Sequence, residues 1–332
     1  MPRVHDLKRG QSPKLFALVV AGVLGLSACG GPDLGKQNFP RTTVAASGGD
    51  TGSGPITDPA VTVAALRPLL PCQFLDQASL TPLGAPEGEP EAETVSFAEC
   101  RAKVKDAGGK EISVTAEVGA IVVFASDKTT GQVGGLPQVE VPDQTGGSCS
   151  VSALTSRTPN LGLTFDIDYS GGDPCAAGRT LLRSAVPKLH NSPQKYPEAK
   201  GSVVTADPCT MLDQSAVDGV VKNARPEATG LHSCQWGDSG TIAVRFNPGV
   251  PPVEGGGWVK TDVGTASQAF AKKGTGPSST CEVQWQHRPW QGEGGELVQV
   301  QYTNYNAQAD QDDPCGKVTG LAKQVATKLP RP

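Results

Sequence analysis

Apolar and polar residues alternate along several stretches of this 332-residue chain. Leu161, Leu163, Phe165, Ile167 and Tyr169 face one way, and Gly162, Thr164, Asp166 and Asp168 face the other. Ile112, Val114, Ala116 and Val118 oppose Ser113, Thr115 and Glu117. Ile242, Val244 and Phe246 oppose Thr241, Ala243 and Arg245, and Val298, Val300 and Tyr302 oppose Gln299, Gln301 and Thr303. A period of two predicts strands with one wet face, the habit of antiparallel sheet. Helical spacing appears elsewhere. Leu321, Val325 and Leu329 share one helical face, and Leu181, Ala185 and Leu189 match them. Leu212, Ala216 and Val220 predict a further helix, and Pro187 predicts an early end or a bend in the helix it interrupts.

These elements recur in one order. Pro71-Cys72-Gln73-Phe74-Leu75-Asp76-Gln77 opens a first pass, and Pro208-Cys209-Thr210-Met211-Leu212-Asp213-Gln214 opens a second. The cysteines follow with nearly one offset: 137 (72 to 209), 134 (100 to 234), 132 (149 to 281) and 140 (175 to 315). Four cysteines repeating in order with one spacing indicate duplication. Asp173-Pro174-Cys175, Asp207-Pro208-Cys209 and Asp313-Pro314-Cys315 read as helix starts, with Asp capping free amides and Pro at the first helical position. Cys72 departs from this form, because Leu70 stands where the Asp would be. The expected fold is α+β: two similar domains, each an antiparallel sheet with N- and C-terminal helices packed on it and two disulfides. The boundaries read as 59–190 and 201–332, joined by a polar linker over 191–200.

The start of the chain has a different pattern. Arg3, Lys8, Arg9 and Lys14 precede an apolar run from Leu15 to Leu26, which closes on Leu26-Ser27-Ala28-Cys29. A basic start, an apolar middle and a small-residue exit make a secretory signal over 1–28. The run is too short for the roughly 20 residues that span a bilayer. The tetrapeptide resembles the lipobox of bacterial lipoproteins. That resemblance implies cleavage before Cys29, a fatty-acylated diacylglycerol on its thiol, and an anchor on the extracytoplasmic face of the cell membrane. Residues 29–58, rich in Gly, Ser, Thr and Pro, then read as a flexible tether with a reach of roughly 30 Å.

Export gives the cysteine count its meaning. Nine Cys divide into Cys29 and an even set: Cys72, Cys100, Cys149, Cys175, Cys209, Cys234, Cys281 and Cys315. An even set in an exported chain reads as disulfides. No Cys-x-x-Cys occurs, and no His is spaced with a Cys as in zinc fingers, so no metal is expected. Of three pairings per domain, neighbours in sequence are preferred: Cys72 with Cys100, Cys149 with Cys175, Cys209 with Cys234, and Cys281 with Cys315. Strand-to-strand and helix-to-helix pairing stays open. Each preferred loop is worth about 3–4 kcal/mol in the chain-entropy account.

Composition and charge narrow the function classes. The formal charge is -4, from 29 basic and 33 acidic residues. Removing 1–28 takes away four basic residues and Asp6, which leaves about -7. An acidic chain does not suit nucleic acid. There is no Gly-x-Ser-x-Gly, no His-Glu-x-x-His, no phosphate loop and no nucleotide fingerprint, and hence no expected cofactor or catalytic residue. His232 and His287 read as a surface and a core-border histidine, and Asp76 and Asp213 as carboxylates in first helical turns.

All four Trp lie in the second pass. Trp285 and Trp236 read as core. Trp258, after Gly255-Gly256-Gly257, and Trp290, between Pro289 and a Gly-rich turn, read as loop aromatics. With Arg288 on the wet face of the second sheet, they are the candidate ligand contacts. The wet face of the first sheet, with Glu117, Asp166 and Asp168, is acidic, and that of the second is weakly basic.

Together the lipobox and tether, the Asp-Pro-Cys-x-x-Leu start and Ser233-Cys234-Gln235-Trp236 resemble the uncharacterised Cys-rich lipoproteins of high-GC Gram-positive bacteria. The first pass departs from that pattern at Leu70 and at Arg101-Ala102 after Cys100. The resemblance implies no reaction. The expectation is a non-enzymatic, lipid-anchored binding or interaction module for an envelope protein or small ligand, serving envelope sensing or assembly. An envelope hydrolase and a passive spacer are the alternatives.

Overall fold

The computed structural model describes residues 54–126, 128–265, 267–306 and 311–332, all within one compact unit, Gly49–Pro332. The signal segment, Cys29 and most of the tether lie outside the described residues.

The architecture is α+β, with two antiparallel sheets and four disulfides. The first sheet has eight strands: β1 (Ala85–Pro86), β2 (Glu91–Ala92), β3 (Glu99–Lys105), β4 (Glu111–Ile121), β5 (Thr129–Val133), β6 (Leu136–Pro142), β7 (Ser148–Arg157) and β8 (Asn160–Asp168). Its order is β1-β3-β4-β8-β7-β6-β5, with β2 also on β3. The second sheet has seven strands: β9 (Pro226–Gly230), β10 (Ser233–Trp236), β11 (Gly240–Gly249), β12 (Trp258–Thr261), β13 (Ala269–Lys273), β14 (Ser279–Pro289) and β15 (Gly295–Asn304). Its order, β9-β10-β11-β15-β14-β13-β12, repeats the first sheet's β2-β3-β4-β8-β7-β6-β5, with β1 having no counterpart among the described residues. The predicted alternation sets the faces. Leu161, Leu163, Phe165 and Ile167 are buried in the first sheet, and Ile242, Val244, Phe246, Val298, Val300 and Tyr302 in the second.

Among the described residues five α-helices flank the sheets: α1 (Val63–Leu66), α2 (Gln77–Leu80), α3 (Pro174–His190), α4 (Gln214–Asp218) and α5 (Pro314–Lys328). The closing helices α3 and α5 start as expected, with Asp173 and Asp313 accepting from the Ala176 and Gly316 amides. Leu181, Ala185 and Leu189 are buried, as are Leu321, Val325 and Leu329. Helix α3 does not stop at Pro187. Its last turn is held by burial of Leu189, by Lys188 Nζ on Asp76 at 2.9 Å and by His190 Nε2 on Asp58 at 2.7 Å.

The opening segments differ from expectation. Each is a 3-10 turn, Pro71–Leu75 or Pro208–Thr210, followed by a helix of four or five residues. Asp76 and Asp213 sit at extended backbone angles between the two pieces, which interrupts any longer helix. Asp76 then caps α2 at the Ser79 amide. Val217 is the buried residue of α4, whereas Ala216 and Val220 are half-buried.

The disulfides join neighbours in sequence. Cys72–Cys100 and Cys209–Cys234 fasten the opening turns to β3 and β10, and Cys149–Cys175 and Cys281–Cys315 fasten β7 and β14 to the closing helices. The end of the predicted tether is packed rather than free: Arg157 Nε donates to the Gly54 carbonyl, and Ile56 lies against the first core. Among the described residues no helix is long and apolar enough to cross a membrane.

Candidate binding clefts at the junction of the sheets

Each half of the chain lends the other a side chain. Phe97 is three residues before Cys100, and Leu231 is three before Cys234. Phe97, 1% exposed, packs in the core of the second sheet, and Leu231, 2% exposed, packs in the core of the first. Gly119, with φ 78°, is the seat for Leu231: a Cβ there would stand 2.2 Å from Leu231 Cγ. The backbone beside these side chains repeats within each half. The Ala98 carbonyl accepts from Val118, and its counterpart at His232 accepts from Phe246. Arg67 crosses the junction, with Nε donating to the Leu231 carbonyl at 2.8 Å and Nη2 at 3.3 Å from Asp207.

His232 is buried, not superficial as the sequence suggests. Its Nε2 lies 2.9 Å from the Val204 carbonyl, and its ring meets Phe97 edge-on at 5.3 Å. Burial pushes its pKa down to about 4, with the Arg67 charge adding to the effect. The imidazole is therefore neutral at ordinary pH, with a carbonyl on Nε2.

Two concavities open at this junction. The first is a groove of about 430 Å³, lined by Tyr196 and Trp290 and rimmed by Val95 and Val250, which are 65% and 82% exposed. Trp290 is one of the predicted contacts. Its ring packs on Phe97 at 5.2 Å and Tyr196 at 5.6 Å. The Tyr196 hydroxyl donates to the Phe97 carbonyl at 2.8 Å, and burial pushes its pKa up to about 12. Glu93 and Glu293 also line this groove.

The second concavity is a more polar cleft of about 310 Å³. Glu99 and Glu117, cross-strand partners on β3 and β4, form one wall. Ser233 and Arg245, cross-strand partners on β10 and β11, form the other with Gln299. Burial pushes Glu117 up to about 7, and the nearby charges of Glu99 and Asp166 act in the same direction. Burial lowers Arg245 against the opposing field of Glu282.

The other predicted contacts do not join Trp290. Trp258 starts the edge strand β12 and pairs with Lys272, which in turn pairs with Glu282 near the start of β14. Trp290 lies eight residues farther, just past the end of β14, roughly 26 Å away along an extended strand. The Trp258 ring carries Lys272 Nζ at 5.6 Å. Arg288 Nη1 donates to Glu296 at 2.7 Å. Glu296 is fully buried and also accepts from Ser202 Oγ and the Val203 amide, so Arg288 helps to hold the start of the second half in place. His287 does the same through the Gly201 carbonyl.

The cleft walls were present in the sequence as an acidic and a weakly basic wet face. Which positions meet was not, because that depends on the Phe97 and Leu231 exchange. No family model matches this chain, and no curated protein matches it. Among solved structures it is similar to the crystal structure of DynU16, a protein placed in the dynemicin biosynthetic locus, at 14% identity and a TM-score of 0.16, covering 82% of this chain and 92% of that one.

Proposed function

We propose that the protein is a non-enzymatic binding module, lipid-anchored through Cys29 on the extracytoplasmic face of a membrane and built from two copies of one helix-flanked sheet domain. The observation that carries this reading is the junction groove. Trp290 and Tyr196 form an aromatic floor, and Val95 and Val250 expose apolar surface at its rim. Exposed apolar residues around a concave aromatic surface are what a ligand or partner surface needs. Four disulfides suit an oxidising compartment, and the lipobox supplies the anchor.

The feature that favours a hydrolase instead is Glu117, a carboxyl tuned toward the range of a general acid and placed in a cleft. Its nearest histidine does not complete a catalytic pair: His232 is covered by Phe97, and its Nε2 is engaged by a carbonyl.

Photo-crosslinking in intact cells tests the reading. A crosslinker replacing Val250 should capture a specific adduct, and one replacing Val259, 60% exposed on the edge strand, should not. Equal capture at both positions, or none at Val250, sinks the groove assignment. Cys29→Ala should move the protein out of the membrane fraction, and retention there would refute the anchor.

A further inference from the structure

Glu117 and Arg245 are the same position in the two halves. Ala116 pairs with Cys100 and Val244 pairs with Cys234, so the next residues, Glu117 and Arg245, correspond. Their flanks correspond as well, with Thr164 opposite Glu117 and Gln299 opposite Arg245. One topological position thus carries opposite charges on opposite walls of a single cleft.

The two charges do not neutralise each other. Among the described residues Glu117 has neither an ion pair nor a side-chain hydrogen bond, and the charges acting on it, Glu99 and Asp166, belong to its own sheet. Arg245 Nη1 donates to Gln301 Oε1 at 3.0 Å, and the carboxylate that acts on it, Glu282, also belongs to its own sheet. Neither carboxylate is in ion-pair contact with Arg245 among the described residues. Charged groups withdrawn from water without a counter-ion raise the free energy of the empty cleft. A bound molecule that carries both missing counter-charges removes both penalties. A simple anion would meet Glu99 and Glu117, and a simple cation would meet Arg245, so the opposed walls select against each.

We propose that this cleft binds a small zwitterion, with its ammonium seated on the Glu99–Glu117 wall and its carboxylate on Arg245. A volume of about 310 Å³ is at the low end for ligand sites, which restricts the occupant to the size of an amino acid or a short peptide. Ser233, Asn247 and Thr229 also line the cleft, with the Thr229 and Ser233 hydroxyls 2.8 Å apart. This inference goes beyond the junction-groove reading and does not depend on the anchor.

The test uses full-length protein with its disulfides formed, titrated calorimetrically with glycine, glycylglycine and triglycine, in which the charges are progressively farther apart. One member of the series should bind. Acetylating its amine or amidating its carboxylate should each weaken binding tenfold or more, equivalent to about 1.4 kcal/mol. Glu117→Gln and Arg245→Gln should each have a similar effect, Arg245→Lys a smaller one, and Lys272→Gln none. Near-ultraviolet dichroism of the buried Trp residues checks that the variants are folded. The inference is overturned if no member binds, if blocked forms bind as well as the parent, or if folded Glu117→Gln or Arg245→Gln binds like the unaltered protein. The blocked ligands are tested on unaltered protein, so a variant that fails to fold does not rescue the proposal. A failed titration would leave the Val250 crosslink as a separate result.

Discussion

The two halves share what lies inside and differ where they meet. Strand order, disulfide pattern and the caps of the closing helices repeat closely. At the junction, Phe97 corresponds to Leu231, Ala98 to His232, Glu99 to Ser233 and Glu117 to Arg245. A symmetric junction would place like charges on both cleft walls. The difference between the halves at this position removes that repulsion and leaves a cleft with two electrical ends. The comparison teaches that one strand order and one disulfide pattern serve both halves, and that the cleft walls are among the positions at which the halves differ.

The largest expected effect breaks the exchange itself. Phe97 and Leu231 each fill the other half's core, so truncation leaves a cavity remote in sequence from its cause. Phe97→Ala should lower stability by about 3–5 kcal/mol and Leu231→Ala by about 2–5 kcal/mol, read from urea unfolding. A loss below about 1 kcal/mol for Phe97→Ala would mean that the halves are merely tethered neighbours.

Acid should act on the junction through His232, which is buried there. In the folded protein His232 titrates near 4, below the ordinary 6.5. Between these values the unfolded chain binds a proton that the folded chain does not, so stability falls as pH falls. Above 6.5 the effect vanishes. From pH 7 to 4.5 His232 should account for about 2–3 kcal/mol of lost stability. His232→Gln should abolish that part of the acid dependence, and an unchanged acid slope would refute the assignment.

Glu117 should show the opposite sign. Its folded value near 7 lies above the ordinary 4.5, so the folded chain holds the extra proton in between. Stability from this group is fully present below 4.5 and is lost as pH rises toward 7. Allowing for partial solvent access, the loss is about 1–2 kcal/mol. Glu117→Gln should therefore be more stable than the unaltered protein at pH 8 and indistinguishable from it at pH 4. A destabilised variant at pH 8 would mean that the carboxylate has a partner.

These sites differ in how far the sequence exposes them. Strand alternation, the Asp-Pro-Cys starts of the closing helices and the cysteine spacing are local signals, and each led to the observed element or bridge. The opening helices misled, because Asp76 and Asp213 look like first-turn carboxylates and instead restart the chain after a 3-10 turn. The junction was hidden for a stronger reason. Nothing local to Phe97 or Leu231 says that each is buried in the other half. Trp290 drew notice as an aromatic in a Gly-rich loop, whereas its partners Phe97 and Tyr196 carried no such signal. Arg288 read as a free wet-face cation because its partner Glu296, at the start of β15, gives no local sign of complete burial.

The smallest effect tests whether matched contacts are matched in energy. Lys188 and Lys328 each stand 13 residues after a helix-start cysteine (175 to 188 and 315 to 328), and each pairs with the Asp of an opening segment. Lys188 Nζ contacts Asp76 Oδ2, Ser79 Oγ and the Gln73 carbonyl within 2.9 Å. Lys328 Nζ contacts Asp213 Oδ1 at 2.6 Å and the Thr210 carbonyl at 3.3 Å. Both ammonium groups keep access to water, so neither pair exceeds the roughly 0–1 kcal/mol typical of surface pairs. The extra short contact should put Lys188→Met near the top of that range and Lys328→Met near the bottom, measured by urea unfolding at low salt. Raising the ionic strength should shrink both losses and the difference between them. A larger loss at Lys328 would show that the count of polar partners does not decide between equivalent positions, and that the difference lies in the apolar stems of the two lysines.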